Sequence, residues 1–147
     1  MDIYNKTADI LLVEDNPGDV ELTLEAFEKA QFAHRIHVAG DGEEALDFLF
    51  RRPPFQDKPR PDIVLLDLNL PKVGGREVLE ILKTDPKLKA IPTVVLTSSS
   101  AESDVLSSYN LYANCYVVKP VMAEEYTNVV LQVEKFWTDV ASRPPIG

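Results

Sequence analysis

Carboxylates stand directly after two apolar runs of this chain: Glu14 and Asp15 follow Ile10-Leu11-Leu12-Val13, and Asp67 follows Ile63-Val64-Leu65-Leu66. The hydroxyls Thr97-Ser98 follow Val94-Val95-Leu96, and Lys119-Pro120 follow Tyr116-Val117-Val118. In an open parallel sheet, ligands bind outside the carboxyl ends of the strands, so these groups would converge on one edge. One Asp after a strand is ordinarily a turn former. Three together repel one another unless a cation sits between them, and oxygen donors alone select a hard ion such as Mg²⁺. Mg²⁺ keeps waters and takes phosphate oxygens, which makes a phosphoryl group the expected third party. An Asp carboxylate can act as a nucleophile and form an acyl phosphate. An amine and a hydroxyl then supply the charge compensation that phosphoryl transfer needs. The set is sufficient for phosphorylation of an aspartate.

Five strands and five helices must position these groups. Runs that are apolar at every position suit strands covered on both faces, whereas His34-Arg35-Ile36-His37-Val38 alternates and suits an edge strand. After Pro17 a helix is expected with Val20, Leu24 and Phe27 inward, and Asp41-Gly42-Glu43-Glu44 opens a second with Leu46, Leu49 and Phe50 apolar. The pair Glu43-Glu44 reads as a solvated helix start. A third helix runs from about Gly75 to Thr84 with Val78, Leu79 and Leu82 inward, and a shorter, serine-rich fourth covers 103–109. In the fifth, Tyr126, Val129, Val130, Val133, Phe136, Trp137 and Val140 fall at offsets 0, 3, 4, 7, 10, 11 and 14, an apolar stripe. The segment Arg51 to Pro61 carries four prolines and four basic residues and reads as an extended, partly stiffened surface loop.

Composition narrows the function classes. The 147 residues, 45% of them hydrophobic and 27% charged, suit one globular domain with a core of its own. A formal charge of −9 disfavours direct DNA binding, which takes surplus Lys and Arg. One cysteine, Cys115, excludes an intrachain disulfide framework. Neither Cys115 nor His34 or His37 has a second soft ligand at metal-like spacing, so all three read as packing or surface residues. No apolar run approaches the roughly 20 residues needed to cross a bilayer, and the N-terminus lacks a signal-peptide core. A soluble, cytoplasmic protein is expected.

The segments Leu11-Leu12-Val13-Glu14-Asp15-Asn16, Leu65-Leu66-Asp67-Leu68-Asn69-Leu70-Pro71, Val94-Val95-Leu96-Thr97-Ser98 and Val117-Val118-Lys119-Pro120, in that order, resemble the four signature segments of the response-regulator receiver domain. The likeness runs from Asp9 to about Val140, with a short Pro-containing tail over 141–147 and no output domain expected. It implies a flavodoxin-like, doubly wound (βα)5 α/β fold with parallel strands in the order 2-1-3-4-5. It also implies Asp67 as phosphoacceptor, phosphorylated by a sensor histidine kinase, and a switch rather than an enzyme. Mg²⁺ would be held by Asp15, Asp67 and the backbone carbonyl of Asn69, with Glu14 acting mainly through water. Thr97 would bind a phosphoryl oxygen, Lys119 would pair with the carboxylate, and Lys119-Pro120 would be cis. Tyr116 matches the aromatic switch position: Thr97 moves toward the phosphoryl group, the ring follows, and the face of the fourth helix, fifth strand and fifth helix is reshaped. Ser99 and Asn69 flank the site and would influence how fast water reaches it.

The Pro53 to Pro61 loop, Ser107-Ser108-Tyr109, Asn114-Cys115-Tyr116 and terminal Phe136-Trp137 further resemble stand-alone regulators that pair with bacterial phytochromes. That implies a red/far-red light-sensing kinase as partner. Phe136 and Trp137, two large aromatics near the chain end, either pack onto the sheet's last face or form a homodimer contact on the face of the fourth helix, fifth strand and long fifth helix with its Pro-rich tail. Other readings fit less well. A haloacid-dehalogenase-type phosphatase needs a second acid where this chain has Asn69, and a flavin-binding loop would not carry Glu14-Asp15. A receiver fold serving as a constitutive interaction or dimerisation module is the alternative of a different class. The retention of Asp15, Asp67, Thr97 and Lys119 argues against it.

Overall fold

The computed structural model describes residues 7–68, 70, 73–97, 115–118 and 125–142. Strands β1 (Ala8–Val13) and β3 (Ile63–Asp67) are buried at every position, as continuous apolar runs require. With β2 (His34–Ala39), β4 (Thr93–Thr97) and β5 (Cys115–Val118) they form one parallel sheet in the order β2-β1-β3-β4-β5. The expected doubly wound order is therefore the observed one. At the edge, β2 is half exposed, and Val38 shows 41% of its surface.

Alternate strand residues face opposite layers. Leu11, Val13, Val64, Leu66 and Val95 pack with α2 (Gly42–Leu49) and α3 (Gly75–Thr84). Ile10, Leu12, Ile63, Leu65, Val94 and Leu96 pack with α1 (Pro17–Glu28) and the C-terminal helix (Tyr126–Ser142). The helix starts follow their caps: Asn16 Oδ1 accepts from Asp19 N at 3.1 Å with Pro17 in the first turn, and Asp41 Oδ1 accepts from Glu44 N at 2.7 Å. The Tyr126 hydroxyl donates to Asp19 Oδ1 at 3.2 Å and so ties the start of the C-terminal helix to that of α1.

Three local expectations need correction. In α1, Thr23 rather than Leu24 is fully covered, because its hydroxyl donates to Asp19 O at 2.7 Å and can be buried without losing a hydrogen bond. The 51–62 segment is not extended. Phe55 turns inward to 5.6 Å from the Phe48 ring, Phe55 N donates to Arg52 O, and Arg52 pairs with Asp47, so the prolines serve consecutive turns. In the C-terminal helix, Trp137 is only 3% exposed and belongs to the core, while Phe136 is partly buried beside it. Its own chain covers the Trp137 ring, which is the packing reading of the two rather than the dimer contact. The fourth helix expected over 103–109 lies outside the described residues.

Both histidines pack as expected. His34 lies against the Phe27 and Phe32 rings, and His37 Nε2 lies 3.1 Å from Asp9 Oδ1, a carboxylate that also accepts two bonds from Arg35.

One lysine gives the fold a pH signature. Lys83, in the last turn of α3, donates to Ile91 O at 2.7 Å, and burial pushes its pKa from the ordinary 10.5 down to about 8. Between pH 8 and 10.5 the unfolded chain then holds a proton that the folded chain has released, so stability rises with pH across that window. Below it both states are protonated and the dependence vanishes. Denaturant unfolding of wild type and Lys83→Met from neutral to alkaline pH checks this. The difference between them should be flat near neutrality and move in favour of wild type above pH 8. A difference that stays flat throughout would contradict the assignment.

Candidate functional site

The carboxyl edge of the sheet gathers the acids. Val13 pairs with Leu66 in register, so Glu14 and Asp67, each one residue further on, stand side by side across β1 and β3. Glu14 N donates to Ala39 O at 3.0 Å and Leu68 N to Leu96 O at 3.0 Å, which carries the ladder one residue past the strands and fixes the backbone on either side of the site. One oxygen of Glu14 also accepts from Asn16 N at 3.1 Å. Glu14 and Asp67 are each 2% exposed, whereas Asp15 opens to solvent. Oxygens of Glu14, Asp15 and Asp67 all lie within 4.8 Å of one another.

Two like charges at that separation repel by on the order of 3 kcal/mol at an effective dielectric constant of 20. A hard divalent cation relieves this, and the all-oxygen donor set fits one. The one exposed carboxylate leaves an approach for water and a phosphoryl group.

Of the remaining expected residues, Thr97 ends β4 and Tyr116 lies within β5 opposite Val95. Asn69, Lys119 and Pro120, including the expected cis bond before Pro120, lie outside the described residues. The described cis peptide is Pro53-Pro54.

Two glycines that do no chemistry also shape the site. A Cβ on Gly75 would overlap the carbonyl oxygen of Asp67 and the Cα of Leu68, and one on Gly42 would overlap the backbone of Val73. Leu68 is thus held against the start of α3 and Val73 against the start of α2. Neither was signalled in the sequence, because a glycine that opens a helix is ordinary and the close approach shows only in the fold.

Residues 10–131 match the family model described as response regulator receiver domain. The chain belongs to that family, the signalling switches of two-component phosphorelays, which take a phosphoryl group from sensor histidine kinases. It is 42% identical to the response regulator Rcp1 of Synechocystis over 135 residues, 92% of each chain. Among solved structures, the phosphorylated cyanobacterial phytochrome response regulator RcpA superposes with a TM-score of 0.86 at 41% identity, covering 95% of this chain and 100% of that one. The Mn²⁺-bound form of Rcp1 does so with a TM-score of 0.84 at 41% identity, covering 94% and 99%. Among the described residues no helix is long and apolar enough to cross a membrane.

Proposed function

We propose that Asp67 is the phosphoacceptor of a switch paired with a phytochrome-type histidine kinase, and that Mg²⁺ is held by Asp15, Asp67 and the Asn69 carbonyl, with Glu14 acting through water. The carrying observation is the trio of carboxylates within 4.8 Å at the ends of β1 and β3. An Asp67 oxygen attacks phosphorus as the P–N bond of a phosphohistidine breaks, giving an acyl phosphate and a free imidazole. Water later cleaves that bond, releasing inorganic phosphate and restoring the carboxylate. When bound, Mg²⁺ offsets the charge of the carboxylates and the phosphoryl oxygens. In this reading Thr97 takes a phosphoryl oxygen, Lys119, joined to Pro120 by a proposed cis bond, pairs with the acceptor, and Tyr116 carries the change outward. The output is an altered homodimer on the face that includes β5 and the C-terminal helix, where Phe136 keeps partial exposure. The kinase assignment is supported by the likeness to Rcp1 and RcpA.

Intact-protein mass after incubation with acetyl phosphate tests the chemistry. A gain of one phosphoryl group only when Mg²⁺ is present supports the switch. No gain in folded protein moves weight to a constitutive interaction module.

Asp15 provides a separate check on the metal. Because it is exposed, Asp15→Ala should leave the fold unchanged and weaken Mg²⁺ binding by about tenfold or more, read by calorimetric titration. Unchanged affinity would remove Asp15 from the site.

A further inference from the structure

A second cleft lies at the opposite end of the sheet from the carboxylates. It has a volume of about 380 Å³ and sits between the end of α2, the chain entering β3 and the turn between α3 and β4. Arg51, Arg60 and Lys87 reach it from these three segments; Phe50 beside them is half-buried, and Leu88 beneath belongs to the core.

Among the described residues none of the three cations is ion-paired, although the chain carries a net charge of −9. The neighbouring Arg52 differs: it pairs with Asp47 and lies 4.9 Å over the Phe50 ring. Asp85 also lines the cleft; its Oδ1 caps the turn there, accepting from Lys87 N and Leu88 N at 2.8 and 3.2 Å, so the cleft holds three cations against one carboxylate. Arg51 also has φ 55°, the left-handed conformation that follows a helix end. Glycine adopts it freely, and a side chain there costs stability. An arginine in that position is unfavourable for the turn and favourable for the cleft.

We propose that this cleft binds an organic phosphate of mononucleotide size, its phosphate held by Arg51, Arg60 and Lys87 and its body against the part of Phe50 that stays exposed. Guanidinium groups suit a phosphate because their paired N–H donors match its oxygens. The volume falls in the range of small-ligand pockets and exceeds what a single inorganic oxyanion fills. The site is distinct from the acidic edge and does not depend on Asp67 chemistry.

The test is an amide NMR titration of the full chain with AMP in EDTA, which removes metal-mediated binding at the acidic site. Inorganic phosphate and adenosine serve as the two halves of the ligand. Saturable shifts are expected at residues 49–51, 60, 85, 87 and 88 with AMP, and binding of either half alone should be at least about tenfold weaker. Arg51→Gly should weaken AMP binding by about tenfold while leaving the melting temperature unchanged or raised, which a merely structural role for Arg51 would not produce. Arg60→Ala should weaken it similarly. The proposal is overturned by the absence of saturable shifts at millimolar AMP, by shifts indifferent to both substitutions, or by inorganic phosphate matching AMP. It is likewise overturned if a glutamate-rich peptide moves these amides and AMP does not, which would make the cleft a protein contact.

Discussion

Asp67→Asn is expected to fold, to gain no phosphoryl group from acetyl phosphate under conditions where wild type gains one, and to melt at a higher temperature than wild type when metal is chelated. The first effect follows from chemistry: an amide oxygen in place of the carboxylate forms no acyl phosphate, so labelling should fall at least about a hundredfold. The second follows from geometry. Asp67 is buried beside Glu14 and Asp15, and without a divalent cation the Lys119 pairing proposed above offsets only part of the repulsion among the three carboxylates. Deleting one charge should return on the order of 1 kcal/mol, less than the pairwise Coulomb energy because solvent reaches Asp15. With saturating Mg²⁺ the order should reverse, since wild type gains the linkage stabilisation that the variant has lost. Persistent labelling of the variant at the wild-type rate would place the acceptor elsewhere. A lower melting temperature in chelator would show that the carboxylates do not strain one another as their separation implies.

The acidic edge was legible because its logic is local. A residue that directly follows a buried parallel strand must stand at the sheet's carboxyl edge, so Glu14, Asp67 and Thr97 could be placed from the runs preceding them. What could not be read depends on rotation and on contact between distant segments. On α1, Thr23 and Leu24 are 100° apart, and a hydropathy pattern prefers the leucine. The hydrogen bond from Thr23 to Asp19 O, invisible to that pattern, reverses the preference. Trp137 lies on the stripe expected to face the sheet, yet whether one chain covers its ring depends on how closely the C-terminal helix approaches the layer of Ile10, Ile63 and Val94. The basic cleft is harder still: Arg60 and Lys87 are joined by β3 and α3, and nothing in their sequence neighbourhoods indicates that they share a cavity with Arg51.

The glycines at the start of α3 set two adjacent substitutions against each other. Gly75→Ala should destabilise the protein by about 2–3 kcal/mol, because the new methyl group meets backbone rather than the flexible end of a side chain. The atoms in its way are the carbonyl oxygen of Asp67 and the Cα of Leu68, so relief must move the peptide of Asp67, the proposed acceptor. Phosphorylation by acetyl phosphate should therefore slow by tenfold or more in the fraction that remains folded, since a displacement of about 1 Å at a reacting group can cost a hundredfold. Gly74 is the control. A Cβ there meets nothing within 4 Å, and its φ of −69° suits any residue. It also occupies the cap position of α3 without a side-chain hydrogen bond, so Gly74→Ser should be neutral or stabilising by a few tenths of a kcal/mol and leave the phosphorylation rate unchanged. Urea unfolding and the initial rate of mass gain, measured on both variants, distinguish a close approach at Gly75 from a general need for glycine in this turn. Equal losses in the two variants would show that backbone freedom, rather than the contact with Asp67, is what the turn requires.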